Sequence, residues 1–425
     1  MNALIEDLTW RGLIAQSTDL DALRADLDAG PVTLYCGFDP TAASLHLGNL
    51  LQIITVRRFQ LSGHTPLALV GGATGLIGDP KSSGERNLNS TQIVEEWGAR
   101  VRGQLERFFD FDGPAAARMV NNYDWTHGVD VIEFLRDIGK HFSVNRMLDR
   151  EAVAARLASG GISFTEFSYQ VLQSYDYLQL FRRYGCTLQT GGSDQWGNIT
   201  AGVDLIRRVE SASVHALTTP LVTKSDGTKF GKTESGTIWL DAEMTSPYAF
   251  YQFWLNSDDR DISTYARLYS LKSHDELLAW EAATYEAPQK REAQRGLAAE
   301  LTTLVHGADA CAAVEAASAA LFGQGDLAGV PIDTLDAALS ELPVAEVART
   351  EIGDGELPDI VELLVRSGLA ASKGAARRTI GEGGAYLNNE RIADESYRPR
   401  IDSAFGGRLM VLRRGRRTLA GVRIE

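Results

Sequence analysis

An α/β fold with a parallel central sheet, followed by an α-helical domain and a small α+β tail, is what this 425-residue sequence predicts. Three observations carry that expectation. Short β-branched and aromatic runs at residues 32–35 and 186–190 each pass through a glycine-bearing loop into helical periodicity, and a third run, 66–70, ends in glycines after a crossover helix. Residues 246–321 are helical in pattern throughout. The charge is lopsided as well: of the total of −14, residues 357–425 carry +5 and the rest of the chain −19, which is what an acidic body with a basic RNA-contacting tail would show.

Length allows two or three domains, and 44% hydrophobic with 23% charged residues describes an ordinary globular chain. No apolar run approaches membrane-spanning length, so no membrane partner is expected, and the mixed, acidic N-terminus does not read as a signal peptide. Cys36, Cys186 and Cys311 are odd in number and widely spaced, which fits a reducing cytoplasm and argues against structural zinc.

In chain order, residues 1–30 read as helical, with Leu4, Leu8, Leu20, Leu23 and Leu27 spaced for one face and Gly30-Pro31 ending them. Residues 32–35 form a buried strand that breaks at Gly37 and Pro40, and Leu47, Leu50, Leu51 and Ile54 begin a helix. Thr41 and His46 fall at the positive end of that helix, where phosphate charge is stabilised. A lone His there commonly serves as a cap, but Gly48 admits a ligand close to the backbone, and His46 and Asn49 on one turn offer donors to a nucleotide. The second strand, 66–70, runs into GGATGLIGDP. That stretch lacks the Gly-Lys-Ser/Thr spacing of a P-loop, so a strand-terminating turn is one reading. Asp79, a carboxylate at the ligand edge of a sheet, supports another, a site for an ammonium group.

Residues 91–157 alternate amphipathic helices with a strand at 117–121. Residues 130–148 are unusually apolar for a surface segment, which suits an oligomer contact or core packing equally. On the helix of residues 164–181, Tyr169, Gln173 and Asp176 share one face. Three polar groups in a row are usually solvated, yet flanking aromatics point to a pocket. Strand 186–189 opens into GGSDQWGNITAG, where Asp194 at the tip suits ribose hydroxyls and Gly192 leaves room for the sugar. Lys229 and Lys232 sit on a glycine-rich loop, and two ammonium groups there can close over a triphosphate. Residues 322–356 read as a linker. The tail has two helices, the second bearing Lys373, Arg377 and Arg378, then strand-like pieces and a hairpin with Arg413, Arg414, Arg416 and Arg417. Those basic side chains suit phosphate tracking on structured RNA.

The His46-Leu47-Gly48-Asn49 pattern resembles the first signature of the class I aminoacyl-tRNA synthetases, and Lys229-Phe230-Gly231-Lys232-Thr233 the second. With Tyr35, Asp39 and Thr41 the likeness is to the tyrosine-specific bacterial branch, and residues 367–389 look like an RNA-binding module shared with a ribosomal protein. The resemblance implies a Rossmann-like catalytic domain at 1–233, a helical anticodon-side domain at 234–321, a linker at 322–356 and an RNA-binding domain at 357–425. It implies tyrosine, ATP with Mg²⁺ and tRNA(Tyr) as partners, no tightly bound cofactor, and a homodimer built on the apolar 130–148 region. By the same resemblance, Tyr35 and Asp176 meet the phenol hydroxyl, and Asp79, Tyr169 and Gln173 meet the amino end. Gln195 contacts the reacting adenylate and Asp194 the ribose. Gly37, Asp39, Gly48, Asn49 and Gly192 join the ATP site, and Thr41, His46, Lys81, Arg86, Lys229 and Lys232 serve the departing phosphates. Asn49 stands where many relatives carry a second His. A tryptophan-specific relative, a catalytically silent RNA-binding relative and a small-molecule nucleotidyltransferase are the alternatives.

Overall fold

A computed structural model describes residues 2–80, 88–225, 227, 228, 230–233, 236–415 and 418–425. Lys81, Arg86, Lys229, Arg416 and Arg417 lie outside the described residues. Among those described, the chain divides into two units, 1–244 with 257–293, and 245–256 with 294–425.

In the first unit, β1 (Gln16–Ser17), β2 (Thr33–Phe38), β3 (Thr65–Val70), β4 (Arg118–Asn121), β5 (Cys186–Gly192) and β6 (His215–Thr219) form one sheet in the order β1-β6-β5-β2-β3-β4. Strands β2 to β6 pair in parallel and β1 runs antiparallel on β6, while β7 (Lys232–Thr233) and β8 (Gly236–Thr237) form a separate antiparallel pair. Burial along β3 and β6 is nearly continuous, as expected of strands covered on both faces. The Leu47–Leu61 helix carries β2 over to β3, and the Trp196–Glu210 helix carries β5 to β6. These crossovers bring the C-terminal ends of β2, β3 and β5 together, the edge where such sheets bind ligands. Behind that edge Tyr35, Leu67, Leu69, Val120, Tyr177 and Leu205 belong to one buried cluster.

The expected single helical run at residues 1–30 is broken. Gly12 at φ 76° caps the Ala3–Arg11 helix by sending its N–H back to Leu8 and Thr9, and β1 then takes up the free edge of β6 before the Leu20–Ala29 helix begins. The backbone bonds available on that edge outweigh the helical spacing of the leucines.

In the second unit, the Pro247–Leu255, Ala308–Leu321 and Ile332–Ser340 helices pack together. Its sheet has the order β11-β10-β12-β13-β9, from β9 (Val344–Val347), β10 (Ala385–Leu387), β11 (Glu390–Arg391), β12 (Leu409–Arg414) and β13 (Thr418–Ile424). Residues 322–356 are therefore not a bare linker. They hold the Ile332–Ser340 helix and β9, which pairs in parallel with β13. The helical stretch 246–321 is also shared between units, since the Asp259–Tyr269 and His274–Glu286 helices cluster with the sheet of the first.

Candidate active site

At the C-terminal ends of β2, β3 and β5 lies a cavity of about 780 Å³. Every described residue expected to meet the amino acid or the nucleotide lines it: Tyr35, Gly37, Asp39, Thr41, His46, Gly48, Asn49, Asp79, Tyr169, Gln173, Asp176, Gly192, Asp194, Gln195 and Lys232.

Tyr35 sits within β2 and is 1% exposed, and its hydroxyl has no hydrogen-bond partner among the described residues. Burial, then the nearby Asp176, pushes its pKa well up, so it is a neutral phenol. Asp176 is 2% exposed, with one oxygen accepting from Trp125 Nε1 at 2.8 Å and the other from Asn122 Nδ2 at 3.0 Å. Burial raises its pKa to about 7 against the pull of those two donors, with Asp39 adding to the rise. Each oxygen keeps a lone pair for a further donor.

Asp39 accepts from Tyr169 OH at 2.7 Å and from Thr74 Oγ1 at 2.6 Å. Asn122 also donates to Thr74 Oγ1 at 2.8 Å, which joins the Asp176 and Asp39 groups into one network. Gly71 is required there, because a Cβ would come within 1.9 Å of Asp39 Oδ1. Gln195 and Asn198 each donate to Asp79 at 3.0 Å. Burial nevertheless raises the Asp79 pKa. The buried Oε1 atoms of Gln173 and Gln189 have no partner among the described residues.

At the first residues of the Leu47–Leu61 helix, His46 is the N-cap. Its Nδ1 accepts from Gly48 N at 3.1 Å, and its own N–H donates to Asn49 Oδ1 at 3.0 Å. An accepting Nδ1 leaves Nε2 to carry the proton, and desolvation, with the charge of Lys232, lowers the pKa of the ring. His46 is thus a neutral donor near neutral pH, and it is a cap and a cavity residue at once. Asn49 spends its oxygen on the cap and keeps its amide nitrogen as a donor.

Asn122, Trp125, Thr74, Asn198 and Gln189 were not anticipated. The position of Asn122 just past β4 at the ligand edge, and of Asn198 one turn after Gln195, are the signals that mark them.

In the second unit the basic residues divide. Lys373 pairs with Glu362 at 2.8 Å and Arg377 with Glu395 at 3.5 Å, both from exposed positions, and Arg378 is exposed. Arg413 lies over the Tyr386 ring at 4.0 Å and donates to Gly415 O, while Arg414 donates to Leu369 O. These last two guanidinium groups are partly engaged in holding their own fold.

A parallel sheet with helix caps and carboxylates gathered at its strand ends is the architecture of the class I aminoacyl-tRNA synthetases, and the family described as tRNA synthetases class I (W and Y) matches residues 27–323. A second family, the Tyrosine--tRNA ligase SYY-like C-terminal domain, matches residues 336–420. The chain is 62% identical to the tyrosine--tRNA ligase of Streptomyces avermitilis, over 100% of this chain and 99% of that one, and 58% identical to that of Mycobacterium bovis, over 99% and 98%. Among solved structures, a C-terminally truncated mitochondrial tyrosyl-tRNA synthetase of Aspergillus nidulans is 30% identical, with 74% of this chain and 92% of that one covered and a TM-score of 0.68. The Plasmodium falciparum tryptophanyl-tRNA synthetase, 14% identical with a TM-score of 0.53, shares the fold alone. The chain belongs to the tyrosine--tRNA ligases, enzymes that form aminoacyl-tRNA, and the tryptophan-specific alternative is not favoured.

Proposed function

We propose that this cavity holds tyrosine and ATP together and activates the amino acid by charge placement, with no covalent catalyst. The phenol hydroxyl of tyrosine donates to Asp176 and accepts from Tyr35, and the ammonium group sits among Asp79, Tyr169 and Gln173. Gln195 faces the reacting carboxylate, while Asp194, Gly192 and the Asn49 amide receive the ribose. Gly37, Asp39 and Gly48 leave space and hydrogen-bonding edges for the nucleotide. The single observation that carries this reading is the Tyr35 hydroxyl, buried beside Asp176 and unpartnered among the described residues, in the cavity that the His46 cap also lines. A buried polar group without a partner is costly unless a ligand supplies one.

One tyrosine carboxylate oxygen attacks the α-phosphorus of ATP, the bond from that phosphorus to the bridging oxygen breaks, and pyrophosphate leaves. Thr41, neutral His46 through Nε2, and Lys232 stabilise the charge on the leaving group, with Lys81, Arg86 and Lys229 assigned to the same task from their sequence positions. A terminal ribose hydroxyl of tRNA(Tyr) then attacks the tyrosyl carbonyl carbon and AMP departs. Mg²⁺ is expected to accompany ATP, held by phosphate oxygens and water. Among the described residues no group of three or more His, Cys, Asp or Glu side chains is placed to hold a metal ion.

Lys373, Arg377 and Arg378 offer an RNA-facing surface, to which Arg413 and Arg414 at the end of β12 add charge. A homodimer is supported by Val131, Ile132, Leu135 and Val144, each more than half exposed, since a run of large apolar side chains left in water marks an interface. A cytoplasmic setting fits three cysteines that are all free. ATP–pyrophosphate exchange with a panel of amino acids tests the central reading: exchange that depends on tyrosine supports it, and equal exchange with phenylalanine or tryptophan refutes it.

A further inference from the structure

The two signature segments meet through Tyr269, a side chain that neither of them contains. Phe230 packs against Tyr265, with ring centroids 4.7 Å apart, and against Tyr269, at 5.6 Å and an interplanar angle of 30°. Both tyrosines lie on the Asp259–Tyr269 helix, four residues apart and so on one face. Tyr269 is 0% exposed and sends its hydroxyl to the carbonyl oxygen of Leu47 at 3.2 Å. Leu47 is the first residue of the helix that His46 caps.

The end of the Asp259–Tyr269 helix is itself gripped. The carbonyl oxygen of Ser270 accepts from the Arg58 guanidinium, which belongs to the His46-capped helix, and from Arg11 at 3.1 Å. Backbone bonds from Ile238 N to Gly231 O at 3.0 Å and from Leu240 N to Leu45 O at 2.8 Å run beside this aromatic tie. Lys232 stands two residues beyond Phe230, and its charge acts on the His46 ring. Displacement by about an ångström at such a group costs on the order of 100-fold in rate.

We propose that Tyr269 is a positioning residue for adenylate formation, joining the Phe230–Lys232 segment to the backbone of Leu47 so that Lys232 and His46 converge on the same leaving group. The inference rests on the role given above to Lys232. The effect belongs to the transition state, since the added negative charge on the bridging oxygen of the leaving pyrophosphate develops only as its bond to the α-phosphorus breaks.

Tyr269→Phe keeps the ring against Phe230 and deletes the hydroxyl tie. In ATP–pyrophosphate exchange it is expected to lower kcat about three- to ten-fold, the worth of one hydrogen bond, with KM for tyrosine unchanged. Phe230→Leu, which keeps an apolar contact but loses the stack, is expected to act in the same direction. In a Lys232→Ala background Tyr269→Phe should add no further loss, because the group being positioned is gone. Additive losses, or single variants with full kcat, overturn the proposal, as does a rise in KM for tyrosine matching the fall in rate. Full exchange activity in Lys232→Ala alone overturns the role of Lys232 in pyrophosphate departure, which separates that failure from a failure of Tyr269.

Discussion

Replacing Tyr35 with phenylalanine should strengthen the free protein and weaken its selectivity at the same time. The Tyr35 hydroxyl is buried with no partner among the described residues, and an unsatisfied buried hydroxyl costs about 1–3 kcal/mol. Removing one oxygen from a 1% exposed ring opens no methyl-sized void, so Tyr35→Phe should gain about 1–2 kcal/mol in unfolding free energy without ligand. The bound phenol hydroxyl meanwhile loses one of its two partners and keeps Asp176. A neutral hydrogen bond is worth about 0.5–1.5 kcal/mol net, so the preference for tyrosine over phenylalanine should fall about three- to ten-fold. The full preference of such a hydroxyl-reading site is roughly 10⁴ to 10⁵, a figure for which tyrosine-specific synthetases are themselves the standard case and which is carried over here. Asp176 is thereby left with most of the discrimination. Urea unfolding followed by tryptophan fluorescence gives the first quantity, and the ratio of kcat/KM values in exchange gives the second. Unchanged or lower stability together with unchanged preference would show that the hydroxyl is not waiting for the substrate.

Three further outcomes are expected. Asp176 has its folded pKa raised to about 7 from 3.8, so the stability it contributes is full below the unfolded value and is lost as pH rises through about 7. KM for tyrosine should fall between pH 6 and 8 as the carboxylate becomes a better acceptor, and Asp176→Asn should flatten that profile; a slope that survives unchanged in the variant refutes this role for Asp176. Gly71→Ala would drive a Cβ to 1.9 Å from Asp39 Oδ1 and 2.4 Å from Thr74 Oγ1, and should lower exchange about 100-fold by displacing the Asp39 and Tyr169 pair, whereas near-normal exchange would mean that the network is dispensable. The double variant Lys373→Ala, Arg378→Ala should raise KM for tRNA(Tyr) and flatten its salt dependence, leaving tyrosine-dependent exchange untouched; an unaltered salt slope in aminoacylation would remove both residues from the RNA surface.

The parallel strands and their ligand edge were legible because each is a local event: an apolar run, then glycines, then helical spacing. Tyr169, Gln173 and Asp176 were legible as a face because the helix period is fixed. The donors that hold Asp176 were not, since Asn122 and Trp125 reach it from 54 and 51 residues away, and nothing near them in sequence reports a buried acid. The same reason hid β1, two residues long and paired with β6 about 200 residues later. At residues 130–148 both readings of the apolar content find residues: Ile138 and Met147 are buried, Val131 and Ile132 exposed.

The parallel pairing of β9 with β13 has a practical side for anyone dissecting the chain. A fragment begun at residue 357, where the basic tail starts by composition, would strip β13 of β9, one of its two neighbours, and leave N–H and C=O groups facing water along residues 421–424 of that strand. Such a bare margin invites self-association. A cut placed ahead of the Ile332–Ser340 helix keeps the margin covered.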